Sequence, residues 1–239
     1  MSDQSEYMPD PQAEQQRVPT GIPGLDSLIK GGFLRGGLYI IVGTLGAGKT
    51  VFVHQIAFNH LADNGRVLYL TVLSETHTRL LGHIRRFSFF RPDVIGMSLS
   101  YISGYRILRD QGARALLQVI QPMIREHKIS LLIVDGLPLI MPHQPYDIAT
   151  EEFLHDLQAY SEITQCTTLV VTPAYPHVWE SQAFLFVDGA IELAVMGTGQ
   201  LPYRTLEIKK FLATAHYHGP HMFQIRDEGV VFPEEDGQE

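Results

Sequence analysis

The octapeptide GTLGAGKT, residues 43–50, constrains this chain more than any other stretch. It satisfies the pattern G-x-x-x-x-G-K-[ST] in full, with the apolar run LYIIV (38–42) before it and a helix-forming run (49–62) after it. Glycines at these places let the backbone curl so that successive N–H groups face one point. The helix that follows adds the partial positive charge of its N-terminus. A strand, loop and helix in that order make a cradle for phosphate oxygens. Gly43, Thr44, Leu45, Gly46, Ala47 and Gly48 are its expected lining, Lys49 is set to reach the β- and γ-phosphates, and Thr50 to ligate Mg²⁺. The alternative, a glycine-rich turn without a ligand, does not account for the strand before and the helix after.

The rest of the chain alternates around this unit. Residues 23–29 read as a short helix closed by Gly31 and Gly32, 66–72 (RVLYLTV) as a strand, 75–87 as a helix and 97–102 as a strand. Residues 113–127 are amphipathic, with Pro122 expected to kink or divide the helix. Residues 130–134 (SLLIV) and 167–171 (TTLVV) read as strands on either side of a helix at 148–164. Strands alternating with helices imply an α/β fold with a mostly parallel sheet covered on both faces. Beyond Phe186 the runs VDGAIELAV, RTLEIKKF, MFQI and VVF lack helices between them, so the sheet is expected to end in antiparallel hairpins. Residues 1–16 and 233–239 are polar and acidic and read as disordered tails, which leaves residues 17–232 as one domain.

A phosphate loop needs a carboxylate for its metal. SLLIVD places Asp135 at the C-terminal end of a strand, the ligand-bearing edge of such sheets, as the Walker B candidate for Mg²⁺. Hydrolysis also needs a group that orients water. Glu75, just after the second strand, is the candidate; the alternative is a helix-N-terminal glutamate that complements the dipole. Thr172 ends a strand expected beside Asp135 and is a candidate for sensing the γ-phosphate.

Composition excludes several classes. With 239 residues, 45% of them hydrophobic, the chain can bury a core without disulfides or structural metal. Cys166 is alone, so no intrachain disulfide forms; a reducing cytoplasm is the natural reading, with the thiol packed inside. No stretch approaches the ~18 uncharged apolar residues of a membrane span. The longest candidate, 183–197, is broken by Asp188 and Glu192. The first 16 residues have neither a basic nor an apolar region, so no secretory leader is expected there.

Two segments carry a resemblance as well as chemistry. VPTGIPGLDSLIKGGFLRGGLYIIVG (18–43) with the phosphate loop, and RTLEIKKFLATAHYHGPHMFQI (204–225), resemble the KaiC-like ATPases of the RecA superfamily. The likeness runs from Val18 to Pro233; the first segment is shared by RecA-type proteins generally, the second is particular to KaiC-type domains. It implies a RecA-like core, Mg·ATP bound between neighbouring subunits, and a homo-oligomeric ring, usually hexameric. KaiC carries two such domains in tandem and this chain has one. Where the family commonly has a Glu-Glu pair, this chain reads Ser74–Glu75. Where the family reads K-x-R-G-T-x-H and reaches the neighbour's nucleotide, Lys210, Thr214 and His216 are kept but the arginine is Leu212. A trans arginine contributes roughly 10³–10⁵ in rate, and Lys209 or Lys210 would replace it only as point charges. The expectation is ATP binding with slow hydrolysis or nucleotide-dependent switching, with a regulatory protein partner left unnamed. A non-hydrolysing, ATP-dependent assembly platform is the third reading, favoured by Ser74 and Leu212 and opposed by Glu75 and Lys210.

The second reading is a RecA-type, DNA-binding recombinase. The formal charge is −8, from 18 Lys+Arg and 26 Asp+Glu, but the average misleads. Residues 1–16 hold four acids and 227–239 six, with no base in either, whereas 17–226 carry 16 acids and 18 bases. The local distribution decides. Residues 129–203 contain no Lys or Arg and nine acids, and they include both segments (136–147 and 173–186) where recombinases place their DNA loops. Phosphate neutralisation needs cations, so nucleic acid is not an expected partner. The basic aromatic run HIRRFSFFRP (83–92) reads as a helix end that packs its phenylalanines and offers Arg85, Arg86 or Arg91 to the nucleotide or a neighbour, with stacking on a single nucleic-acid strand as the alternative. His216, His218 and His221 invite a metal, but no nearby Cys or carboxylate completes a set. Trp179 reads as core or interface packing.

Overall fold

The computed structural model describes residues 16–139, 148–197 and 202–233. The expected tails lie outside it except for Gln16 and Pro233, as do residues 140–147 of the first recombinase-type loop. In chain order the elements are β1 (Arg17–Val18), α1 (Leu25–Leu28), β2 (Phe33–Leu34), β3 (Leu38–Gly43), α2 (Lys49–Ala62), β4 (Val67–Thr71), α3 (His77–Ile84), β5 (Leu99–Ser103), α4 (Tyr105–Gln111), α5 (Arg114–His127), β6 (Leu131–Asp135), α6 (Ile148–Thr164), β7 (Thr167–Pro173), β8 (Gly189–Met196), β9 (Tyr203–Phe211), β10 (Pro220–Arg226) and β11 (Gly229–Val231).

Nine strands form one sheet in the order β11-β10-β9-β8-β3-β7-β6-β4-β5, and β1 pairs with β2 in a separate ribbon. The six strands from β8 to β5 are mutually parallel. From β8 outward, β9, β10 and β11 are antiparallel. The fold is therefore α/β, mostly parallel, with the expected C-terminal hairpins. β3, β4 and β6 are buried along their whole length, because helices cover both faces of a parallel sheet. Alternate side chains feed two cores. Tyr39, Ile41, Tyr69 and Ile133 pack with Phe52, Val53 and Ile56 of α2 on one face. Leu38, Ile40, Leu68 and Leu132 pack with Leu116 and Ile120 of α5 and Phe153 and Leu157 of α6 on the other.

Several expectations are corrected. Pro122 does not divide the helix: Arg114–His127 is one continuous element. The carbonyl that loses its donor belongs to Gln118, an exposed residue. The helix expected at 75–87 is shorter, His77–Ile84, because the Thr76 hydroxyl accepts from the Arg79 amide at 3.4 Å and caps it. Glu75 thus precedes the helix. The β1–β2 ribbon and α4 were not anticipated. The phenylalanines of 83–92 pack as expected: Phe87 is buried and Phe89 and Phe90 lie against Phe58 of α2. Cys166 is buried, and Trp179 stacks on Phe184 at 4.9 Å between ring centroids. No helix among the described residues is long and apolar enough to cross a membrane.

Candidate functional site

The phosphate loop follows from the end of β3. Gly46 (φ 77°) and Gly48 (φ 98°) adopt left-handed conformations that side chains rarely take. At Gly48 a Cβ would also stand 2.5 Å from Ile225 Cδ1, so the turn into α2 is open only to glycine. Bonds to β8 anchor the loop. The Thr44 amide donates to Leu193 O (3.1 Å), and Thr44 Oγ1 accepts from the Val195 amide (3.2 Å). Lys49 Nζ lies inside the turn and donates to the carbonyls of Gly43 (2.6 Å) and Thr44 (3.0 Å). Burial lowers its pKa and the charge of Asp135 opposes that shift. Leu45, at the tip, is 99% exposed.

Asp135 ends β6 and is buried. Burial pushes its pKa up, while a hydrogen bond from Tyr69 and the charge of Lys49 pull it down; Glu75 pushes it up again. Glu75 is therefore electrostatically coupled to the same carboxylate. In the sheet β7 and β6 separate β4 from β3, so the strand that leads to Glu75 neighbours the Asp135 strand and not the loop strand. Its carboxylate lies 3.2 Å from Arg79 Nε and 3.1 Å from His83 Nε2, both on α3. Ser74 beside it is exposed. Thr172 is buried on β7, in register with Val42 of β3, between the loop strand and the Asp135 strand. Lys49, Thr50, Asp135, Thr172 and Glu75 thus share one edge of the sheet. The Thr50 hydroxyl and the Asp135 carboxylate are hard oxygen donors. They suit Mg²⁺, which keeps several waters and takes few protein ligands.

Lys210, Thr214 and His216 do not join this group. β9 begins beside the loop, where Arg204 Nε donates to Gly46 O at 3.2 Å. It then runs away: Lys210 pairs with Ala190, which pairs with Ile40, three residues upstream of Gly43. From Arg204 to Phe211 the strand covers about 24 Å at ~3.4 Å per residue. The segment 210–216 therefore sits at the opposite edge of the sheet. There Lys210 Nζ donates to Phe184 O (2.9 Å), Thr214 Oγ1 accepts from Arg17 Nη2 (2.8 Å), and His216 Nδ1 donates to Thr214 O (3.3 Å). Leu212 is 48% exposed, with its amide bonded to Asp188 O at 2.7 Å. Arg86 is exposed just beyond α3; its guanidinium lies 5.3 Å from the Phe87 ring, and no polar contact ties it to the loop. Among the described residues no group of three His, Cys, Asp or Glu could hold a metal, so His216, His218 and His221 make no such site.

Residues 18–237 match the KaiC ATPase family. The chain belongs to that family. The circadian clock oscillator protein KaiC of Thermosynechococcus vestitus is 26% identical over 234 residues, covering 92% of this chain and 45% of that protein. A UPF0273 protein of Thermotoga maritima is 25% identical over 249 residues, covering 93% of this chain and 98% of its own. This KaiC-family chain spans about half the length of the clock proteins it matches. Among solved structures, a KaiC-like protein of Pyrococcus horikoshii superposes with a TM-score of 0.77 at 22% identity, covering 91% of this chain and 99% of its own, which shows the shared RecA-type fold.

Sequence reasoning missed three residues beside the site: Tyr69, His54 and Arg204. The Tyr69 hydroxyl donates to Asp135 Oδ2 at 2.6 Å. His54 Nδ1 donates to the Thr50 carbonyl at 2.7 Å, and its ring stacks on Tyr69 at 4.4 Å. A signal for His54 existed: four residues after Thr50 on a helix, it shares Thr50's face. Tyr69 and Arg204 reach the site only through sheet pairing.

Proposed function

We propose that this KaiC-family chain binds Mg·ATP at the subunit interfaces of a homo-oligomeric ring, most simply a hexamer, and hydrolyses it slowly as a nucleotide-dependent switch. The observation that carries the reading is the separation of the two half-sites. The phosphate loop, Thr50, Asp135 and Glu75 lie at one edge of the sheet, and Lys210, Thr214 and His216 at the other. One chain cannot bring them to one phosphate. Two chains in a head-to-tail ring can, because a heterologous interface sets one edge against the opposite edge of the next copy.

In this reading the loop amides and Lys49 would bind the phosphates, and Thr50 and Asp135 would hold Mg²⁺, which would supply neutralisation of phosphate charge. Glu75 orients the attacking water once it leaves Arg79 and His83. Lys210, Thr214 and His216 of the adjacent copy close the site. Leu212 leaves it without the guanidinium that spreads transition-state charge, so turnover is slow. Residues 17–232 form the ATPase domain, flanked by acidic tails at 1–16 and 233–239. The buried lone thiol fits a reducing cytoplasm. A regulatory protein partner would read the nucleotide state of the ring.

Light scattering on size-exclusion fractions, with and without ATP, paired with phosphate release on the same fractions, tests this. The expected result is an ATP-stabilised ring with slow phosphate release. A monomer under all conditions would overturn it. A ring that Lys49→Ala abolishes but that releases no phosphate would favour the non-hydrolysing platform, to which the Arg79 and His83 contacts of Glu75 lend support.

A further inference from the structure

Asp135 is the only aspartate or glutamate among the buried described residues. A carboxylate taken out of water needs compensation. Its direct partner is Tyr69, whose hydroxyl is 2.6 Å from Oδ2. A phenol donates one hydrogen bond and brings no charge, unlike an arginine or lysine, so it orients the carboxylate without supplying a competing cation.

The tyrosine is itself held. Its ring lies against His54 (4.4 Å, 29° between planes) and Tyr101 of β5 (5.2 Å, 41°). His54 is fully buried and donates to the carbonyl of Thr50. One packed stack therefore links Thr50 on α2 with Asp135 on β6, the two residues assigned to the metal, although they belong to separate elements. We propose that Tyr69 is the positioning residue of the magnesium site: its hydroxyl fixes the Asp135 carboxylate, and the stack with His54 sets it relative to Thr50. This rests on the Mg·ATP reading above. Groups that orient metal ligands from behind typically change metal affinity on the order of 10–100-fold when removed.

The test is Tyr69→Phe, which removes one oxygen and keeps the ring stack. The probe is Mn²⁺, titrated by electron paramagnetic resonance into protein loaded with a non-hydrolysable ATP analogue. Mn²⁺ affinity is expected to fall on the order of 10–100-fold, while binding of the analogue in EDTA, which the loop and Lys49 carry, stays within about twofold of wild type. In an Asp135→Asn background the same substitution is expected to cost nothing further. Tyr101→Phe, in the same stack but with a hydroxyl that has no partner among the described residues, is expected to keep wild-type Mn²⁺ affinity. Unchanged Mn²⁺ affinity in Tyr69→Phe, an equal loss in the Asp135→Asn background, or a joint fall of metal and metal-free binding would each overturn the assignment. Absence of Mn²⁺ binding in the wild type would instead overturn the Mg·ATP reading, and the assignment with it.

Discussion

His54 makes the protein acid-sensitive in a way that can be computed from its surroundings. Its ring is fully buried between α2 and the sheet. Burial pushes its pKa from 6.5 down to about 4, and only the Thr50 carbonyl works against that shift. The folded state therefore refuses a proton that the unfolded chain accepts. Above pH ~6.5 neither state binds it, and the effect on stability vanishes. As pH falls from ~6.5 to ~4 the unfolded state gains the proton alone, and stability drops by ~1.4 kcal/mol per pH unit. Between pH ~7 and ~5 the loss assignable to His54 is about 2 kcal/mol, a large share of an ordinary folding free energy. His54→Phe keeps an aromatic ring against Tyr69 and removes the titration. Urea unfolding of nucleotide-free wild type and variant at the two pH values reads the difference directly. Other buried groups, His60 among them, contribute to both proteins and cancel. If the variant loses as much stability on acidification as the wild type, His54 does not exclude a proton and the argument fails.

Other expectations follow from the same geometry. Leu212→Arg restores a guanidinium at an exposed loop position opposite the phosphate loop, and phosphate release is expected to rise, by up to roughly 10³ where the ring aligns it; unchanged or lower turnover in intact rings counts against the trans assignment. Burial drives the Cys166 thiol up to about 12, so the native protein is expected to resist a thiol-specific chromogenic reagent at pH ~8 and to react at the rate of unfolding. Rapid labelling of native protein contradicts that burial. The segment 173–186 offers no cation, so single-stranded DNA is expected to show no tight, salt-dependent retention in filter binding.

What could be read in the sequence was local. The phosphate loop is a contiguous motif whose glycines carry the conformation, and Asp135 closes an apolar run whose strand identity fixes its edge. The strand–helix alternation gave the parallel sheet because each element is long and bounded by turn residues. α4 escaped because its seven residues, YRILRDQ, bury no side chain fully and set only Ile107 and Leu108 against the core, too short an apolar face to show a period. Pro122 misled because its cost depends on which carbonyl it strands, and Gln118 is exposed. The Tyr69–Asp135 bond joins residues 66 apart across neighbouring strands, so only the register of β4 on β6 brings them together. The resemblance set Lys210, Thr214 and His216 against a neighbour's nucleotide, and the antiparallel run of β9 away from the loop gives that separation its length.

That separation is tested most directly by mixing two disabled subunits. Lys49→Ala spoils the phosphate loop and leaves the far edge sound; Lys210→Ala does the reverse. Each alone is expected to release little phosphate. In randomly mixed equimolar rings about one interface in four joins a sound loop to a sound far edge, so turnover is expected to recover to about a quarter of wild type. A mixture that stays inactive although native mass spectrometry finds mixed rings, or Lys210→Ala rings with full activity, would contradict a site shared between two copies.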